Sequence, residues 1–152
     1  MLDAGLQQEL GLLGRLVVAF LLSGALGWER ESAKKAAGLR THMLVGVASA
    51  LFVSLGFAAT TGFPGDPASI RLEPMAIIQA VAVGVGFLGS GIVRVESSDN
   101  RPHGLTTAAS VWACAGVGMC AGFGKHLLGV GATILLLVAL RLVGHLQRRI
   151  RN

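Results

Sequence analysis

The sequence predicts an all-α, polytopic membrane protein: a single domain over residues 1–152 built as a bundle of five transmembrane helices. Three observations predict it. Apolar residues make up 53% of the chain and charged residues 14%, with 22 glycines and no tyrosine. A soluble domain has about 45–50% apolar residues even with glycine included, and about 25% charged ones. Second, five apolar runs recur, at about residues 10–27, 43–62, 75–93, 105–124 and 127–146. As helices they match a hydrocarbon core of about 30 Å. Third, basic residues collect in alternate connectors. Ten of the thirteen Lys and Arg fall in one alternating set of connectors and two in the other. The positive-inside rule puts the ten in the cytoplasm, so the N-terminus lies outside and the C-terminus inside. The net charge of +5 could suggest nucleic acid, but such binders gather Lys and Arg on one soluble face. Here they alternate with apolar runs, so the expected partner is the lipid bilayer and no nucleic acid.

The first run, residues 10–27, follows a start that holds Asp3 and Glu9 and no Lys or Arg. A secretory signal needs a positive start, so the run reads as a retained span. Arg15 lies inside it. Either its guanidinium snorkels to the headgroups, or it faces inward and pairs with an acid or with carbonyls. Trp28 suits an interfacial anchor. The connector Glu29–His42 follows, with Arg30, Lys34, Lys35 and Arg40. In run two, Gly46, Ala50, Ser54, Ala58 and Gly62 recur at spacing four, a flat face where backbones can touch. The stretch Phe63–Pro67 is rich in turn formers.

Run three holds Gln79 and then Gly84, Gly86, Gly89 and Gly91. Residues 84–89 match G-x-G-x-x-G, but that fingerprint has meaning only between a strand and a helix, so it is rejected here. So many glycines weaken a helix, by about 1 kcal/mol each in water. Close packing is the expected compensation. A kink or local unwinding that shows carbonyls to a polar cavity, with Gln79 nearby, is the alternative. The next connector carries Arg101 and His103 up to run four, where Thr106 or Thr107 is the expected cap. The helix dipole there offers a weak anion site beside Arg101 and His103.

Run four carries Cys114, Gly118 and Gly122, with Ala109 and Ala113 beside them. Runs two and four are therefore expected to pack most closely. Cys114 and Cys120 sit about 240° apart round a helix, which argues against a disulfide or a metal pair. The link to run five, around Gly122–Lys125, is short enough for a tight antiparallel pair. Arg141, near the end of run five, reads as snorkelling. His42, His103, His126 and His145 fall near the run ends and read as interfacial polar residues; His42 and His103 could titrate near neutral pH. No catalytic constellation is legible, so no enzyme, cofactor or metal site is expected.

Three stretches carry a family resemblance. The first is Ala25-Leu26-Gly27-Trp28-Glu29-Arg30-Glu31 with Ala37-Gly38-Leu39-Arg40-Thr41-His42-Met43-Leu44-Val45. The second is Gln79 with Gly84-Val85-Gly86-Phe87-Leu88-Gly89-Ser90-Gly91, and the third is Gly104-Leu105-Thr106-Thr107-Ala108-Ala109-Ser110-Val111-Trp112. Together, in order and spacing, they resemble the signature of the MgtC/SapB membrane proteins. Trp28 departs from the usual aliphatic residue, and His103 stands where Arg is common, with Arg101 as the nearby substitute. The resemblance implies a multi-pass protein of the bacterial inner membrane, linked to magnesium homeostasis and growth at low magnesium and, in some bacteria, to virulence. Longer members carry a soluble C-terminal domain, which this chain is expected to lack. Some members act by binding other membrane machines such as ATP synthase.

The expected function is therefore a regulator that binds and modulates another membrane complex, ATP synthase or a transporter, with self-association also open. The alternative is an ion or magnesium transporter, or an ion-translocating subunit, suggested by Arg15, Gln79 and the glycine cluster. The match places candidate functional residues at Glu29, Arg30, Arg40, Thr41 and His42, at Gln79, Gly84, Gly86, Gly89 and Gly91, and at Arg101, Thr106, Thr107 and Trp112.

Overall fold

A computed structural model describes residues 2–62, 73–95 and 101–143. Helix α1 covers Leu2–Ser32, α2 Leu39–Gly62, α3 Pro74–Ser90, α4 Leu105–Gly122 and α5 His126–Val138, which continues into a π-helical turn, Ala139–Val143. Between α3 and α4 a minimal antiparallel hairpin pairs β1 (Arg94–Val95) with β2 (Pro102–His103). The all-helical expectation holds. Three helices are long and apolar enough to cross a membrane: α1 over Gly5–Ser32, α2 over Leu39–Ala59 and α4 over Leu105–Gly122. Helices α3 and α5 are apolar but shorter, so among the described residues three of the five expected spans are long enough by themselves. The turn formers at Phe63–Pro67, and His145, Arg148, Arg149 and Arg151, lie outside the described residues.

Helix α1 starts well before the apolar run and continues past it to Ser32, taking in the first part of the basic connector. Its end is set by backbone geometry. Lys34 adopts a left-handed φ of 52°, Lys34 N donates to Glu31 O at 2.9 Å and Lys35 N to Arg30 O at 3.0 Å. This paired arrangement satisfies the last carbonyls of a helix. Gly124 repeats the device after α4, with φ 71° and Lys125 N donating to Cys120 O at 2.7 Å. That stop leaves only a short link, which sets α5 back against α4.

Helix α4 is the hub and packs on α1, α2, α3 and α5. Val111 and Ala115 join Val45 of α2 and Val81 and Val85 of α3 in one buried cluster. Cys114 and Val117 join Leu26 of α1, with Leu136 and Leu140 packed alongside, in another. The small-residue faces of α2 and α4 do meet. A Cβ on Gly118 would run into the Gly46 carbonyl, and one on Gly122 would lie 2.8 Å from Val53 Cβ and 2.9 Å from Ala50 O. The same face of α2 also meets α1: Gly46 abuts Ser23, and a Cβ on Gly27 would lie 2.8 Å from Leu39 Cα. Close approach is thus shared by three helices rather than confined to two.

Helix α3 departs from expectation. It is regular α-helix throughout Pro74–Ser90, so the glycine cluster does not unwind. Nothing lies within 4 Å of a Cβ placed on Gly84 or Gly86; Gly89 alone of these faces α4, 3.7 Å from Ala108 Cβ. Among the described residues, therefore, no close packing accounts for Gly84 and Gly86. The cap of α4 also differs. Its N-cap is Gly104 at φ 87°, with no side-chain cap bond, and a Cβ there would strike the Ile92 carbonyl. Neither Thr106 nor Thr107 caps the helix, because the hairpin brings a backbone turn rather than a side chain to that point.

Candidate functional site

The end of α1, the start of α2 and the first turns of α4 together bury a polar cluster. Glu29 and Arg30 lie in the last turns of α1 and are only 7% and 3% exposed. Helical periodicity explains this. Ala19, Ser23 and Leu26 are buried, and steps of three and four residues along a helix keep one face, so the next members of that face are Glu29 and Arg30. Arg30 Nε donates to Glu29 Oε2 in an ion pair. Removing two such charges from water is costly, and their attraction offsets that cost only when both are present.

His42 is fully buried one turn into α2, on the face that also carries Val45, Gly46, Ser49 and Val53. This corrects the expectation of an interfacial histidine. Its Nδ1 lies 2.8 Å from Gly38 O and its Nε2 3.1 Å from Ser110 Oγ. A carbonyl only accepts, so Nδ1 carries a proton. Ser110 Oγ is also 2.8 Å from Thr107 O, and it has one proton to give. If Ser110 donates to Thr107, His42 Nε2 must donate and the ring is an imidazolium. If Ser110 donates to His42, the ring is neutral. The Cys114 thiol donates to the backbone carbonyl of His42 at 3.3 Å, so α2 is tied to α4 through both the ring and the main chain of one residue. Glu29 and Arg30 are near enough for their charges to act on the ring.

Glu31 closes the site from outside. Its Oε2 accepts from Leu39 N at 2.8 Å, placing a carboxylate at the N-terminus of α2, where the helix dipole favours it. A Cβ on Gly38 would meet that carboxylate, so a larger residue there would displace Glu31 from its bond to Leu39 N. Glu31 and Ser110 are the working residues the sequence reading missed. Both stand inside the quoted motifs, but only the fold shows that Glu31 reaches across the connector and that Ser110 faces His42.

Of the sequence-predicted residues, the structure brings together Glu29, Arg30, His42 and Thr107. Arg40 and Thr41 are exposed at the start of α2 and stay apart from the cluster. Gln79, Gly84 and Gly86 are exposed on α3, and Gly91 follows its end. Gln79 therefore faces no polar path between helices. Arg101 and Thr106 are exposed around the hairpin and the first turn of α4. Trp112 is exposed, yet its indole N–H donates to Ala82 O at 3.3 Å and links α4 to α3 about two turns from Gly89.

Among the described residues no group of three or more His, Cys, Asp or Glu could hold a metal ion. Glu29 is the one buried carboxylate among them, and Arg30 engages it. Cys114 and Cys120 are free thiols. At the other end of the bundle, Arg15 is half-buried and its Nη1 donates to Gly122 O at 3.0 Å, so of the two readings it takes the inward one, paired with a carbonyl.

Comparison with known proteins places these features. Residues 16–149 match the MgtC family. The chain is 38% identical over 141 residues to YhiD of Escherichia coli (strain K12), whose name makes it a candidate magnesium transporter; the match covers 91% of this chain and 63% of YhiD. It is 37% identical over 146 residues to SrpB of Synechococcus elongatus, covering 91% and 78% of the two chains. It is 35% identical over 137 residues to MgtC of Salmonella typhimurium (strain LT2), covering 90% and 54%. The chain thus spans less than two thirds of YhiD and of MgtC. No solved structure matches it.

Proposed function

Because the chain belongs to the MgtC family, we propose that it is a bacterial inner-membrane protein that binds and modulates another membrane complex, in a process tied to magnesium. The magnesium link rests on the name of YhiD and on the family signature. In this reading all five helices cross the bilayer and the Glu29–His42 cluster lies at the cytoplasmic end. The 17 residues of α3 make about 26 Å of helix, short of the hydrocarbon core by an amount that local thinning accommodates. No enzymatic step is invoked.

One observation carries the preference for a modulator over a conduit. Where α1, α2 and α4 meet, the packing leaves no room for even one added carbon at Gly46 or Gly118. A magnesium ion wants oxygen ligands and retained waters, and Glu29 already serves Arg30. The transport reading draws on that same carboxylate: if Arg30 swung away, Glu29 would be a buried oxygen ligand. Purified chain in liposomes loaded with a magnesium-sensitive dye separates the two. The modulator reading expects influx equal to that of empty vesicles, together with a defined membrane complex recovered by crosslinking in native membranes. Influx that Glu29→Gln abolishes would establish transport instead.

A further inference from the structure

At the end of the bundle opposite Glu29 and His42, a second polar site is built on α1. Gln7 and Gln8 precede Gly11 by four and three residues and Arg15 follows it by four, so they flank one stripe of the helix. That stripe lines a cavity of about 560 Å³, closed on the other side by Phe57 of α2 and Phe123 of the α4–α5 link. The volume falls within the range of about 300–1,000 Å³ usual for ligand pockets. The two phenyl rings meet edge to face, 5.7 Å apart, and make a firm apolar wall.

Arg15 sets the character of the cavity. Its Nη1 donates to Gly122 O at 3.0 Å, and Cζ and Nη2 would each lie 3.7 Å from a Cβ on Gly124, so the guanidinium rests on the α4–α5 turn. A carbonyl orients a guanidinium but leaves its charge in place. Among the described residues no carboxylate lines the cavity. A planar, permanently charged donor fork suits an oxyanion, and the Gln7 and Gln8 amides can donate beside it. Gln8, about two turns nearer the N-terminus than Arg15, lines the same cavity. Gln8 lies about 33 Å from Arg30 along α1, the thickness of a hydrocarbon core. With Arg30 at one membrane face, the mouth opens in the headgroup layer of the other.

We propose that this cavity binds a phosphate oxyanion, held by the Arg15 guanidinium and the Gln7 and Gln8 amides. Two sources carry that chemistry: the headgroup of an anionic phospholipid in the facing leaflet, and phosphate from solution. The inference is independent of whether the chain modulates a partner or moves an ion.

The test measures binding of a short-chain phosphatidylglycerol, a short-chain phosphatidylcholine and inorganic phosphate to the detergent-purified full chain. It compares the native protein with Arg15→Gln, Arg15→Lys and Gly11→Leu. Gly11 lines the cavity and nothing lies within 4 Å of a Cβ there, so Gly11→Leu starts from open space and fills part of the cavity, and it decides the matter should Arg15→Gln fail to fold. A lipid source gives phosphatidylglycerol binding at least tenfold tighter than phosphatidylcholine binding. That preference is lost in Arg15→Gln and Gly11→Leu and partly kept in Arg15→Lys. A soluble source gives inorganic phosphate binding with the same dependence on residues 11 and 15 and no lipid preference. If folded Gly11→Leu binds all three ligands as the native chain does, the proposal is overturned.

Discussion

Helices α3 and α4 are both rich in glycine, and glycine does opposite things in them. In α4, Gly118 and Gly122 lie where α2 comes closest, with backbone and side-chain atoms at distances no Cβ could tolerate. In α3, Gly84 and Gly86 have open space around them, and their neighbours Val83 and Phe87 are 73% and 79% exposed. The difference lies in what each row of small residues faces. Gly118 is one of a row of small residues at spacing four, and it faces another such row on α2. Gly84 and Gly86 also stand in rows of small residues at spacing four, Ala76–Ala80–Gly84 and Ala82–Gly86–Ser90, but among the described residues neither glycine meets a second helix. In an apolar medium, where helices associate by close packing rather than by escape from water, a matched pair of rows makes a contact and a glycine count does not.

The largest expected effect tests this contrast directly. Gly118→Leu forces a branched side chain against the Gly46 carbonyl, beyond the about 1–3 kcal/mol of ordinary overpacking, since backbone cannot move aside. Size-exclusion chromatography and thermal unfolding in detergent should show loss of the monodisperse folded species. Gly86→Leu should leave both readouts unchanged. Equal damage from the two would erase the distinction between the helices.

A polar pair of substitutions sharpens it. Arg30→Met leaves Glu29 as a buried, unpaired carboxylate and should cost about 3–5 kcal/mol. Gln79→Leu removes an exposed amide on α3 and should change stability by no more than about 0.5 kcal/mol. Glu29→Leu together with Arg30→Met removes both charges and should recover most of the loss. A double variant as unstable as Arg30→Met would mean that the pair is held in place by partners beyond itself.

The contrast also shows how far the sequence can be read. The helical class, the small-residue face of α2 and its counterpart on α4 follow from spacing alone, because period four on a helix fixes a face whatever packs there. The burial of Glu29 and Arg30 is implied by the same arithmetic, running on from Ala19, Ser23 and Leu26. Their charge hides it by suggesting a solvated connector. His42 reads as interfacial for a related reason: its place near the start of an apolar run suggests an interface, while its phase with Val45 and Ser49 puts it inside. What spacing does not carry is which neighbour a face meets. Nothing in the order of residues says that Gly104, rather than a threonine, would start α4, or that Glu31 would reach Leu39 N.

Within α4, the hydrogen bond that holds His42 gives an intermediate effect. Ser110→Ala leaves His42 Nε2 without a protein partner in a fully buried position, and unsatisfied buried groups cost about 1–3 kcal/mol. Ser90→Ala on α3 removes an exposed hydroxyl that bonds to Phe87 O, 2.7 Å away in its own helix, and should cost far less. Chemical denaturation of the two variants side by side checks the difference.

The smallest effect concerns the seam between the two helices. Val81, Val85 and Gly89 are the buried residues of α3, and the Trp112 indole adds a long bond to Ala82 O at 3.3 Å, just past the usual N–H···O range of about 2.7–3.2 Å. Ala82 O lies inside α3, so this bond supplements the helix ladder rather than completing it. Trp112→Phe keeps the ring against the seam and removes only the N–H. Global stability should fall by no more than about 1 kcal/mol, while amide exchange in detergent should quicken in α3 and stay unchanged in α2. That asymmetry is the signature of a helix attached along one side to a hub that does not depend on it. If exchange quickened in α2 as well, α3 would be a structural member of the core, and the contrast between the two glycine-rich helices would reduce to one of exposure alone.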